Sequence, residues 1–406
     1  MDVKVEVQKF LNEMKEFHEI LLNHLDSEEN NIECPQNLIL LIDDSKICND
    51  KLKFKSFLYL IVKIADNHHR SPNFIEKIIR IIKFFIENIK KNFTNDEIFF
   101  IFRSNKLILL FLIQEQIINF NSNIISIMRG NKYESEHYLQ YFYPEVKPFL
   151  REEEIEALSM EIPNDFDERR KNGQNDKYLC ELICKDNIEE FVSHVNRKNT
   201  FLNKTISPSI YETNSFLQNK KPLLIEYAAF FGSIQIIKYL VLNQVPLVPS
   251  MWLYAIHGAN ADLIHYLEEN KIKPKDESYE ECLIEAFKCN QNDIANYIRD
   301  NLMTNNVNDF KKFSVQNLRF YNFQFVYEDL CNNEKDFFDL CAADSFYLVS
   351  LFLNSKKVEI NKVKILNLNV HKIPIKFFFE YNFKSFFLIK IQKLQKIIYT
   401  ISNKFC

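Results

Sequence analysis

The chain has 406 residues, 47% of them hydrophobic and 14% aromatic, and a formal net charge of −4. That length exceeds one small core and suggests two or three domains of about 150 residues each. The four glycines, Gly130, Gly173, Gly232 and Gly258, stand at least 26 residues apart. No dinucleotide fingerprint, Walker phosphate loop, Gly-x-Ser-x-Gly elbow or kinase glycine loop can be built from them.

The N-terminus, MDVKVEVQKFLNEMKE, alternates charges and has no apolar segment of the kind a secretory signal needs. Nine Cys, an odd number without such a signal, imply reduced thiols and an intracellular, cytoplasmic or nuclear, location. Residues 5–25 read as an amphipathic helix, because Val7, Phe10, Leu11, Met14, Phe17, Leu21 and Leu25 recur at three and four. Further helices are expected over 51–66 and, opened by Ser71-Pro72, along one long run to Lys91. On that run Lys77, Arg80, Lys83 and Glu87 form the polar face. Thr94 or Asn95 is placed to cap the next helix, with Asp96 and Glu97 in its first turn. The spans 105–118 and 122–129 continue the pattern. The apolar run from Leu107 to Ile113 ends at Gln114-Glu115-Gln116, far short of a membrane span. Residues 1–150 are therefore expected to form an all-helical domain. His68-His69-Arg70 reads as a loop, since the nearby sequence supplies no carboxylate or thiol to complete a site. Pro163, the run Glu152-Glu153-Glu154 and Asn172-Gly173 mark 151–176 as a linker, with Arg169, Arg170 and Lys171 in a solvated turn.

From residue 177 a helix-turn-helix unit recurs. Units at 178–195, 221–243, 252–267, 282–298 and 337–353 each combine an apolar or small-residue first helix, a polar reversal and an apolar second helix. Aligned at Phe191, Ile237, Ile264, Ala295 and Val349 they are spaced by 46, 27, 31 and 54, a period near 30 with insertions. The reversals use Asp186-Asn187, Gly232-Ser233, Asn260, Asn290-Gln291-Asn292 and Asp344-Ser345, residues that tolerate tight turns or cap the following helix. One such hairpin cannot bury its own apolar faces, so neighbours must cover them. The units over 177–303 are expected to stack, with Trp252 in the core between them. The insertion near 196–220 is expected to bulge outward. The stretch 304–361 is expected to hold an aromatic insertion that packs back, then a partial fifth unit. Cys180 and Cys184 read as helix residues, because no second ligand pair follows at zinc-finger spacing.

Lys221-Pro222-Leu223, Ala228-Ala229, Gly232 and Ile236-Ile237 resemble the ankyrin repeat, whose period is about 33 and whose signature is T-P-L-H-x-A. VEIN at 358–361 resembles the tail of such a unit, while no unit carries the full T-P-L-H or its histidine. The ordered set LCELICKDNIEEFVSHVN, YETNSF, IEYAAFFGSIQIIKYL, PSMWLYAIHGANADLIHYLEEN and NDIANYIRDNL is similar to the expanded ankyrin-repeat families of trichomonad protists. Their ankyrin-like segment is described as a domain of unknown function. The resemblance spans about 176–361. It implies an all-α chain in which a helical domain precedes an ankyrin-like α-solenoid. It also implies a non-catalytic protein-interaction module, with no catalytic residue, cofactor or metal assigned and no small-molecule substrate. In such stacks the first helices and turns line the concave face. Carried over by position, the partner-binding residues are Tyr227, Phe230, Tyr254, His257, Glu285 and Lys288, and the partner is an unidentified protein.

Residues 362–406 align with no unit. From Lys356 onward there are 11 Lys and 2 Glu, a net of +9 against −13 for the rest of the chain. Three readings stand for this tail: an aberrant terminus left by a shifted frame or early stop, a helical cap, or a basic aromatic segment. The third makes the alternative function a peripheral membrane or nucleic-acid binder.

Overall fold

The computed structural model describes residues 3–28, 31–69, 71, 73–130, 135–159, 162–218, 220–303, 313–326, 340, 343 and 345–354. The basic tail, the VEIN segment, Arg70, Pro72 and most of the expected first helix of the fifth unit lie outside them. Among the described residues the chain is all-helical apart from one isolated antiparallel bridge, Thr205 to Leu223. No helix among them is long and apolar enough to cross a membrane. None of the described cysteines is in a disulfide.

The first core is built by α1 (Val3–Asp26), α2 (Gln36–Ser45), α3 (Lys51–Asn67), α4 (Phe74–Phe84), α5 (Ile86–Asn92), α6 (Asn95–Phe102), α7 (Lys106–Gln114) and α8 (Ser122–Gly130). The apolar stripe of α1 is buried throughout. Helix α3 starts where the Asp50 carboxylate accepts the amides of Leu52 and Lys53. Helix α6 starts at a reciprocal Thr94–Glu97 capping box. The single long helix expected from 74 to 91 is instead broken at Phe85, whose φ and ψ are −94° and 0°. The break drives the Phe85 ring into the core, 5.8 Å from Phe54 and 5.2 Å from Phe57. Lys77, expected on a polar face, is fully buried. Its ammonium donates to the carbonyls of His24 and Ser27 at 2.9 and 2.7 Å, satisfying the C-terminal end of α1.

The expected linker is partly helical, and of its two helices only the second buries side chains. Helices α9 (Ser135–Tyr141) and α10 (Tyr143–Val146) still belong to the first core, which buries Tyr141, Phe142 and Val146, and α11 (Glu152–Ser159) and α12 (Phe166–Asn172) follow in the linker. Arg170 corrects the solvated-turn reading: it is buried, paired with Glu145 at 2.8 Å and Asp167 at 2.6 Å.

Four hairpins come next: α13 (Tyr178–Cys184) with α14 (Ile188–Arg197), α15 (Leu224–Phe231) with α16 (Ile234–Leu242), α17 (Met251–His257) with α18 (Ala261–Glu269), and α19 (Glu280–Lys288) with α20 (Asn292–Tyr297). Their first helices pack on one another in succession and share one core. Each reversal places one residue in the left-handed region: Asp186, Gly232, Ala259 and Asn290. Polar staples join neighbours. The Asp186 carboxylate accepts the amides of Gln235 and Ile236, each at 3.1 Å, and Ser233 donates to the Ile183 carbonyl at 2.6 Å. Trp252 is wholly buried and donates its indole N–H to the Ile272 carbonyl at 2.8 Å. Gly258 lets two hairpins touch backbone to backbone: a Cβ there falls 2.3 Å from the Phe230 carbonyl oxygen. A carbonyl in a helix cannot swing aside, so Gly258→Val is expected to lose about 2–3 kcal/mol in a urea-unfolding series.

The expected fifth unit does not extend this row. Helix α21 (Ser314–Phe320) packs on α19, and the chain then turns toward the first core. Leu318, Tyr321 and Phe323 bury there. Helix α22 (Phe346–Asn354) packs on α1 and α3, with the Tyr347 ring 4.7 Å from that of Phe10. Its apolar faces have better cover between two long helices than at the open end of a row.

Candidate functional site at the junction of the two cores

The 196–220 insertion does not bulge outward; its second half folds across the inner face of the first helices. Ile206, Tyr211, Thr213, Asn214, Phe216 and Leu217 are all buried. An Asx turn sets the geometry, the Asn214 side-chain oxygen accepting the Phe216 amide at 2.9 Å. Ser215 donates to the Asn67 side chain at 2.9 Å, and the Thr213 amide to the Gly173 carbonyl at 3.1 Å. Pinned from both sides, Phe216 projects into the row and is 3% exposed.

This inward fold decides the fate of the expected partner-binding residues. Phe216 stacks on Phe230 at 5.9 Å, meets Tyr254 edge-on at 4.9 Å and lies 4.4 Å from the His257 ring. Phe230, Tyr254 and His257 are therefore buried beneath the chain itself rather than lining an open face. Lys288 approaches the same ring at 5.7 Å and pairs with Glu285 at 3.2 Å. Tyr227 stands apart, 1% exposed, its hydroxyl 3.9 Å from Cys184 Sγ. Four of the six positions thus converge on one ring that sequence reasoning did not single out, and Glu285 reaches it only through Lys288 and His257. Lys220 was also missed; its ammonium lies 3.2 Å from the centre of the Phe216 ring. Burial lowers its pKa to about 8, with Lys288 pushing the same way and Glu285 and Glu226 opposing. The signal was present: YETNSF is too apolar at its end, and too rich in turn-forming side chains, for a loop left in water.

Glu285 Oε1 stands 3.1 Å from His257 Nε2, an ion-pair distance at an angle that misses a hydrogen bond, so neither ring nitrogen has a hydrogen-bond partner. Burial pushes the Glu285 carboxyl up, but His257 and Lys288 outweigh it and hold it at about 2. Burial lowers the His257 pKa; Glu285 pulls it back, while Lys288 and Lys220 lower it further. His18, bonded to Asn290 at 3.0 Å, is lowered by burial to about 3. The His18 imidazole stays neutral in the folded chain yet takes up a proton near pH 6.5 when unfolded. The unfolded state then binds one more proton, so stability falls as pH drops below about 6.5, by up to about 1.4 kcal/mol per pH unit for this histidine. Urea midpoints measured from pH 7 down to pH 4 are expected to decline, and His18→Gln is expected to flatten the slope.

The first core docks against the turn of the fourth hairpin and the insertion. His68 donates from Nδ1 to the Cys289 carbonyl at 2.7 Å, and the Gln291 side-chain amide lies 3.1 Å from His69 Nδ1. Contrary to the sequence reading, a carboxylate does stand beside this histidine pair. Asp26 Oδ1, from the far end of α1, lies 2.8 Å from His68 Nε2 and 3.8 Å from His69 Nε2. A cavity of about 460 Å³ opens here between the cores, lined among others by Asp26, His69, Glu212, Asn214, Phe230 and His257. The Asn214 amide nitrogen has no hydrogen-bond partner among the described residues. The cavity wall thus offers buried polar groups to a bound molecule.

No protein-family model, no curated protein and no solved structure matches the chain. The class that the coordinates define is an all-α protein of two helical cores joined across a polar cavity.

Proposed function

We propose that this chain is a divergent ankyrin-type repeat protein that acts inside the cell, without catalysis, as a protein-interaction module. Two features support the repeat reading. The first helices lie in a row, and the left-handed residues of the reversals recur at 46, 27 and 31, the intervals of the aligned units. One observation carries the binding reading. Phe230, Tyr254, His257 and Lys288, the positions at which such a row meets its partner, enclose an aromatic side chain supplied by the chain itself. Phe216 and, four residues on, Lys220 act as an internal ligand, and a partner segment with the same pair takes their place.

A random peptide library panned against the full chain carrying Phe216→Ala is the test. The peptides recovered should show an aromatic residue followed four later by a basic one. They should bind that variant at least tenfold more tightly than the unaltered chain. Recovery of no such pattern, or equal binding to a chain that also carries Tyr254→Ala, overturns the reading.

A further inference from the structure

We propose that Asp26, His68 and His69 form a three-ligand site for a zinc-class divalent cation at the mouth of the cavity between the cores. The three donor atoms, one carboxylate oxygen and two imidazole nitrogens, lie within 4.8 Å of one another. Two ligands about 2.0–2.1 Å from a tetrahedral ion stand about 3.3 Å apart. The observed separations of 2.8 and 3.8 Å from Asp26 Oδ1 bracket that value, so small side-chain rotations seat the ion.

The surroundings match what holds metal-ligating histidines. The His68 Nδ1 proton is committed to the Cys289 carbonyl, which fixes the ring and turns Nε2 toward Asp26 as the nitrogen that binds the ion. The Gln291 side-chain amide lies 3.1 Å from His69 Nδ1, and turned to present its oxygen it accepts the Nδ1 proton and leaves His69 Nε2 to bind the ion. Both second contacts come from the fourth hairpin, while all three ligands come from the first core. The ion therefore ties the two cores together. The cavity beside it is lined by the carboxylates of Asp26, Glu28 and Glu212, and no Lys or Arg is among its described lining residues. That sign of charge favours a cation. Three protein ligands leave a fourth position, which faces the cavity and falls to water or to a group bound there.

Equilibrium dialysis of the chelator-stripped full chain against Zn²⁺ is expected to give one ion per chain. His69→Ala and Asp26→Asn are each expected to weaken it at least tenfold. His265→Ala, an exposed imidazole on α18, is expected to leave it unchanged. Co²⁺ in place of Zn²⁺ is expected to give a visible spectrum without thiolate charge-transfer bands. Circular dichroism checks folding, and His69→Ala decides alone if Asp26→Asn fails to fold, because His69 is partly exposed. Binding that survives His69→Ala, a thiolate spectrum, or no stoichiometric uptake overturns the site.

Discussion

Phe216→Ala is expected to destabilise the chain by about 3–5 kcal/mol in urea unfolding, the range for removing a fully packed phenylalanine. The ring is 3% exposed and lies against Phe230, Tyr254 and His257 and the ammonium groups of Lys220 and Lys288, and its first-helix neighbours are held by their own helices. Collapse around the void is therefore limited, which sets the loss at the upper part of that range. Phe216→Leu keeps most of the volume and is expected to lose less than half as much. A second readout separates an unseated insertion from general loosening. Lys220, lowered to about 8 mainly by burial, is expected to return toward its ordinary value of 10.5 once water reaches it. Amine labelling of Lys220 as a function of pH measures that shift. A Lys220 profile that does not move means that the insertion stays seated without its ring.

Arg170→Met is expected to destabilise the chain by about 3 kcal/mol or more, with Arg170→Lys recovering only part of the loss. The guanidinium sits under the first core, bonded to Glu145, to Asp167 and to the Tyr141 carbonyl at 3.1 Å, with its face 4.9 Å from the Phe166 ring. Methionine fills the space but leaves the Glu145 carboxylate, mostly shielded from water, without its counter-charge. Asp167 is well exposed and is resolvated at little loss. Lysine restores a charge but not the planar fork that reaches two carboxylates and a carbonyl together. Glu145→Gln in the same background is expected to remove most of the penalty, since it removes the stranded charge. A penalty that survives this double change assigns the effect to packing.

Much of the helical layout was legible before any coordinates. The stripe from Val7 to Leu25, the cap at Thr94 and the reversals at Asp186, Gly232 and Asn290 are local features, set by residues within one or two turns of each other. Ala259 is the exception among the reversals. Nothing in its side chain favours the left-handed region, and it is held there by the hairpin around it. Lys77 and Arg170 misled for a shared reason. A long cationic side chain reads as solvated in any local window, whereas the carbonyls and carboxylates that bury it come from other helices.

The candidate site was the least legible part. Asp26 and the His68-His69 pair are over forty residues apart, and their histidine supports come from the fourth hairpin more than two hundred residues on. Local order within the chain determined which segments coil, where each hairpin reverses and which apolar faces need cover. It carried no information on what supplies that cover, because a buried face looks the same whether its neighbour is the next hairpin, a partner or a distant loop. Only the tertiary structure decided that Phe216 fills the inner face, that α22 leaves the row for the first core, and that three ligand-bearing side chains meet at the seam. Those outcomes depend on contacts across long stretches of chain, where shape and charge complementarity, not periodicity, choose the partner.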